Sequence, residues 1–137
     1  MNENYIKCHI VSGVVIKKDG KYLLVQEKKS HVYGLWNWPA GQVEAGDTIE
    51  SNAVKEAKEE TGYDVELIRK LGIFQDNVNE AAKHVFEAKI LGGELKFPED
   101  EILDAKWFSF EEIESMKDKL RSNWIIDAIN ILESQKL

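Results

Sequence analysis

A chain of 137 residues with an apolar fraction of 43% and a net charge of −7 fits one ordinary globular domain, since such domains run to roughly 100–200 residues. The apolar content is too high for a disordered chain, and no apolar run approaches the roughly 20 residues a bilayer demands. The negative balance argues against a broad electrostatic footprint for long nucleic acid, and the lone Cys8 removes an internal disulfide framework and any multi-cysteine zinc site.

The opening stretch Met1-Asn2-Glu3-Asn4-Tyr5-Ile6-Lys7 has no basic patch followed by an apolar run and a cleavage site, so a cytoplasmic location is expected. Strand signals cover Lys7–Lys17 and Tyr22–Glu27, separated by the hairpin turn Lys18-Asp19-Gly20. Cys8 and His9 alternate to opposite faces of the first strand and make no nucleophile–base pair. Lys28, Lys29 and His31 follow in a loop whose basic tip could meet distal phosphates, with plain solubility as the alternative. Trp36 and Trp38 alternate on a short strand and share a face; stacking on a heterocycle competes there with ordinary core packing. A helix over about Thr48–Thr61 opens on capping-box spacing between Asp47 and Glu50 and stops at Gly62.

Beyond it, Val65–Phe74, His84–Leu91 and Ala105–Phe108 read as strands, and Phe110–Met116 and Ser122–Glu133 as helices. In the last of these, Trp124, Ile125, Ala128, Ile131 and Leu132 recur at helical spacing and form a core-facing stripe. No repeat, low-complexity tract or linker divides the chain, so residues 1–137 are expected to form a single α/β domain.

The informative element is the helix that carries Lys55-Glu56-Ala57-Lys58-Glu59-Glu60. At about 100° per residue, Glu56, Glu59 and Glu60 fall within one arc, so three carboxylates converge. The bland reading is a solvated acidic face. On the same wheel, however, Glu56 and Glu60 lie beside the apolar stripe of Ile49, Ala53 and Ala57, whereas Lys58 lies opposite it. Inward-facing like charges call for a cation, and hard carboxylate oxygens favour Mg²⁺, with Mn²⁺ as a substitute. Such ions bridge phosphate oxygens and position an attacking water, which points to metal-assisted phosphoryl hydrolysis.

The stretch Gly41 to Tyr63 resembles the Nudix box, G-x5-E-x7-R-E-U-x-E-E-x-G-U with U aliphatic. Gly41, Glu56, Glu59, Glu60 and Gly62 match, while Asp47, Lys55 and Tyr63 depart from it. The segment Trp36-Asn37-x-Pro39-Ala40-Gly41-x-x-Glu44-Ala45-x-Asp47-Thr48 is similar to a MutT-like subgroup acting on nucleotides and thiamine-pathway pyrophosphates. The resemblance implies a mixed β-sheet sandwiched between helices. It also implies metal binding by Glu56, Glu59, Glu60 and the Gly41 carbonyl, water activation by one glutamate, Glu56 first among them, and a ligand or base at Glu101. A solvated acidic loop is the competing account of Glu101, because Glu99, Asp100 and Asp104 are close by. Lys55 would stand in for an arginine that orients a carboxylate, offering a point charge in place of a two-pronged bond. The expected activity is Mg²⁺-dependent hydrolysis of a diphosphate linkage in a nucleoside di- or triphosphate or a related heterocyclic pyrophosphate. The expected partners are that small substrate and, among macromolecules, at most a second copy of the chain as a homodimer, with no membrane and no extended nucleic acid. The alternative is a Nudix-fold nucleotide-binding or regulatory module with little turnover.

Overall fold

The computed structural model describes residues 4–78 and 80–135. Among them seven strands form one mixed sheet: β1 (His9–Lys18), β2 (Lys21–Glu27), β3 (Trp36–Asn37), β4 (Ala40–Gln42), β5 (Tyr63–Asp76), β6 (Ala81–Gly93) and β7 (Ile102–Phe108). Helix α1 (Ile49–Thr61) joins β4 to β5, while α2 (Phe110–Ser115) and α3 (Trp124–Glu133) follow β7. The strands run in the order β3-β2-β1-β6-β5, with β4 bonded to β1 and β7 to β2. Of the pairings between these strands only β1–β6, from His9↔Ala81 to Ile16↔Ala88, is parallel. No helix among the described residues is long and apolar enough to cross a membrane.

The hairpin between β1 and β2 forms where the turn residues allow it. Asp19 (φ 52°) and Gly20 (φ 77°) both adopt the left-handed backbone that a two-residue hairpin loop needs. Val14, Val15 and Ile16, consecutive in β1, are all fully buried, because this strand is covered on both faces. Val14 and Ile16 pack with Ala53 and Ala57 of α1, whereas Val15 packs with Trp124, Ile125, Ala128 and Ile129 of α3. The sheet is therefore sandwiched between helices, as the resemblance implied.

Two sequence-based expectations are corrected. The buried stripe of α3 runs through Trp124, Ile125, Ala128, Ile129 and Leu132, so Ile129 takes the place assigned to Ile131; residues four apart from Ile125 stay on its face, and Ile131 rotates off it. Trp36 and Trp38 do share a face, but it is the core face: they are 8% and 0% exposed, and Trp36 packs edge-on against Phe108 at 4.9 Å. Neither presents a ring for a substrate to stack on.

Candidate active site

Helix α1 rests on β1, β4 and β5. Thr48 caps it: the Ser51 N–H donates to Thr48 Oγ1 and the Thr48 N–H to Ser51 Oγ, each at 2.9 Å. The expected box of Asp47 and Glu50 does not form, because Asp47 Oδ2 accepts a 2.5 Å bond from Lys55 Nζ. The two charged positions that depart from the family pattern thus meet each other, and the bond raises the Lys55 ammonium above its ordinary value. At the far end Gly62 closes the helix in the left-handed conformation (φ 80°). A side chain there would also collide with the Glu94 carbonyl, 2.2 Å from where its Cβ would lie. Tyr63, the remaining departure, is buried on the α1 side of the sheet and does the work of an aliphatic residue there.

The inward face of α1 is polar where it meets β4. Asn52, fully buried, donates through Nδ2 to Ser12 Oγ (2.9 Å) and to the Gly41 carbonyl (3.1 Å). One turn on, the Glu56 carboxyl packs against the Cα of Gly41: a Cβ at that glycine would sit 2.4 Å from Glu56 Cδ. Glycine is required here for close approach, in an ordinary backbone conformation. After a further turn Glu60 Oε1 accepts from the Ala40 N–H at 3.0 Å. Asn52, Glu56 and Glu60 therefore form a ladder at i, i+4, i+8 along one edge of β4. Asn52 was missed in the sequence, although its spacing of four from Glu56 was the available signal.

Burial, chiefly, and then the charges of Glu59, Glu44 and Glu101 push the Glu56 carboxyl up to about 7, with Lys55 opposing. Burial likewise holds Glu60 well above the ordinary range; the charges of Glu56 and Glu27 add to this, while the Ala40 N–H and Lys29 oppose it. Glu59 is exposed, as is Glu101, whose turn is fastened by its N–H to the Pro98 carbonyl at 3.0 Å. The expected convergence is thus one of charge more than of ligating geometry. Among the described residues no three His, Cys, Asp or Glu side chains are gathered closely enough to hold a metal. Glu60 is engaged by the Ala40 N–H. The donor set itself is all hard oxygen, and a half-buried glutamate raised further by its acidic neighbours is a group that a divalent cation would stabilise in its ionised form, so the residues fit such an ion chemically.

The basic loop divides in two. Lys28 Nζ donates to the Glu99 carbonyl at 2.8 Å and so ties the loop to the segment bearing Glu101, whereas the exposed Lys29 lends its charge to Glu60.

A cavity of about 390 Å³ has a lining that includes Asp76, Lys83, Arg121, Asn123, Trp124 and Asp127 and none of the helix glutamates. Lys83, 5% exposed, donates to Asp76 Oδ2 and Ser122 Oγ, each at 3.2 Å, and lies 4.8 Å from the centre of the Trp124 ring. Burial lowers its pKa, with Asp76 opposing. Arg121 Nη1 lies 3.4 Å from Glu27 Oε2, and Glu27 is the residue whose charge reaches Glu60. Arg121 thus lines the cavity, and its partner Glu27 adds to the negative charge felt by Glu60. None of these residues was singled out in the sequence. A second cleft, of about 420 Å³, lies among Tyr5, Ile6, Lys7, Cys8, Asn77 and Glu80.

Comparison with known proteins converges on one family. A NUDIX domain model matches residues 8–128. A Caenorhabditis elegans protein named as a nudix hydrolase is 33% identical over 135 residues, covering 92% of this chain and 37% of its own length. An ADP-ribose pyrophosphatase of Methanocaldococcus jannaschii is 33% identical over 113 residues, covering 80% of this chain and 66% of its own. The chain thus spans less than two thirds of the length of both relatives. A NUDIX hydrolase structure from Nitrosomonas europaea superposes with a TM-score of 0.85 at 27% identity, over 95% of this chain and 91% of that one.

Proposed function

This chain belongs to the NUDIX family, and from that premise we propose that it is a pyrophosphohydrolase cleaving a diphosphate linkage in a nucleoside di- or triphosphate or a related heterocyclic diphosphate. The observation that carries the reading is the position of Glu56, a half-buried carboxylate laid on the Cα of Gly41 and surrounded by acidic neighbours. NUDIX hydrolases generally use divalent metal ions. Glu56, Glu59, Glu60 and the Gly41 carbonyl would hold the ion, with Mg²⁺ preferred and Mn²⁺ tolerated. When bound it supplies charge neutralisation at the phosphate oxygens and a more acidic attacking water.

The chain's own groups divide the remaining work. Glu56, the carboxylate laid on the Cα of Gly41, is the group placed to accept a proton from water. The Ala40 N–H fixes Glu60 through its bond to Oε1, and Asn52 fixes the Gly41 carbonyl. Lys55, through Asp47, ties the loop before α1 to the helix. Glu101 contributes charge beside Glu56. Lys29 is the loop cation suited to a distal phosphate, while Lys28 positions the Glu101 segment. The cavity around Trp124 takes the heterocycle.

A screen of the purified protein with Mg²⁺ against nucleoside triphosphates, ADP-ribose, nucleotide sugars, dinucleoside polyphosphates and thiamine pyrophosphate tests this reading. Turnover of at least one, abolished by chelation and restored by Mg²⁺ or Mn²⁺, is expected; full activity in chelated protein overturns it. The spread of the three carboxylates favours a second reading, a nucleotide-binding or regulatory module. Binding without turnover of any compound in the same screen selects that one.

A further inference from the structure

Arg121 is built like a ligand-binding group. Its backbone N–H donates to the Trp36 carbonyl at 2.8 Å, directly after Leu120, which bridges to Trp36 and is buried, so its Cα is fixed to β3. Its side chain is only 17% exposed and lines the cavity, yet a guanidinium that carries five N–H donors has one side-chain contact among the described residues, at 3.4 Å to Glu27. Charge-assisted bonds of this type settle near 2.7–2.9 Å when both groups are well seated, so the pair is a loose one. Lys83 lines the same cavity, whereas Glu27, the partner of Arg121, is not part of its lining. Through the Trp36 carbonyl Arg121 is tied to the segment that leads to Ala40, whose N–H holds Glu60.

We propose that Arg121 anchors a phosphate of the substrate, exchanging its loose contact with Glu27 for a two-pronged bond to phosphate oxygens. The inference rests on the diphosphate-hydrolase reading and adds to it a residue outside the Nudix box. Glu27 keeps the guanidinium aimed when no anion is present and competes with the substrate for it.

The test is a set of variants titrated with inorganic pyrophosphate in Mg²⁺ by calorimetry, alongside steady-state kinetics on the best compound of the screen. Arg121→Ala should weaken pyrophosphate binding and raise KM by roughly 10- to 100-fold, the range expected for hydrogen bonds to a charged group. Arg121→Lys preserves the charge beside Glu27 but not the fork, and should still lose several-fold in affinity. Glu27→Gln should bind pyrophosphate as tightly as the wild type or more tightly. If Arg121 only neutralises Glu27, the double variant Arg121→Ala/Glu27→Gln will regain wild-type affinity, and the proposal is overturned. Wild-type affinity in Arg121→Lys or in folded Arg121→Ala overturns it as well, while wild-type turnover leaves the hydrolase reading standing. A wild-type protein that neither binds pyrophosphate nor hydrolyses any screened compound overturns both.

Discussion

The two halves of the site handle charge in opposite ways. Along α1, Glu56 and Glu60 are partly buried with acidic neighbours and little basic compensation, and both are held above the ordinary carboxylate range. In the cavity around Trp124 each cation has a carboxylate, Lys83 with Asp76 and Arg121 with Glu27. The first arrangement gains from any cation that arrives. In the second each cation is already paired and can only exchange partners, which suits recognition better than chemistry. The molecule thus keeps an electrostatically frustrated surface for the reaction and a charge-paired one for selecting what reacts.

The sharpest way to break this contrast is to remove charge from the frustrated half. Glu56→Gln and Glu60→Gln are nearly isosteric, and in Glu60→Gln the side-chain carbonyl can still accept from the Ala40 N–H. Each should lower turnover by at least about 10²-fold, as for loss of a general base or metal ligand. Thermal stability without metal should stay level or rise. Wild-type turnover in both variants would make the ladder structural.

Removing charge from the satisfied half should do the reverse and cost stability. Lys83→Met leaves Asp76 without its ammonium in a pair whose side chains are 6% and 14% exposed, and should cost about 3–5 kcal/mol in chemical denaturation. On α1, by contrast, Lys55→Met breaks a pair with side chains 33% and 28% exposed, and should cost far less. Equal losses would erase the distinction between the buried and the half-exposed pair.

A pH titration of stability reads the frustrated half directly. Glu56 moves from an ordinary value of 4.5 to about 7 on folding, so the unfolded chain loses this proton first. Its favourable contribution is complete below 4.5 and is lost as the pH rises to about 7. In chelator, stability should therefore fall across that window, and Mg²⁺ should flatten the fall at its upper end; a profile identical with and without metal would remove the case for an ion at Glu56. The smallest effect expected is that of Lys55→Arg, which still reaches Asp47 and should hold turnover within about 3-fold, since it exchanges one cation for another at a partly exposed pair. Loss of most activity in a folded Lys55→Arg protein would give the lysine another role.

The two glutamates of the ladder, though not Asn52, were legible in the sequence because they lie on one short helix. Helical geometry alone turns Glu56 and Glu60 toward the apolar stripe, and the signals at Gly62 and Asp19-Gly20 act within a few residues. The helix start was misread because Asp47, an eligible cap, is taken by Lys55, and Thr48 with Ser51 supplies the cap instead. That choice depends on a contact across eight residues that cap chemistry does not reveal. The cavity was invisible for a stronger reason: its walls come from the end of β5, from Lys83 on β6 and from the residues around the start of α3. They meet only because the sheet brings these segments together. Trp36 and Trp38 show the same limit, since alternation gave their shared face but not which side of the sheet it covers.

The parallel pairing of β1 with β6 carries a consequence for how the molecule is made. The partners His9 and Ala81 are separated by about 70 residues, a span that slows folding because the loop must close before the contacts reward it. During synthesis, Val14, Val15 and Ile16 leave the ribosome long before Val85 and Phe86, beside which they will lie. Until then an apolar strand that is finally buried on both faces stands with one edge open. Refolding from denaturant should accordingly be slow and concentration-sensitive, with aggregation as its competing branch, and a peptide of the β6 sequence added in trans should compete for that edge.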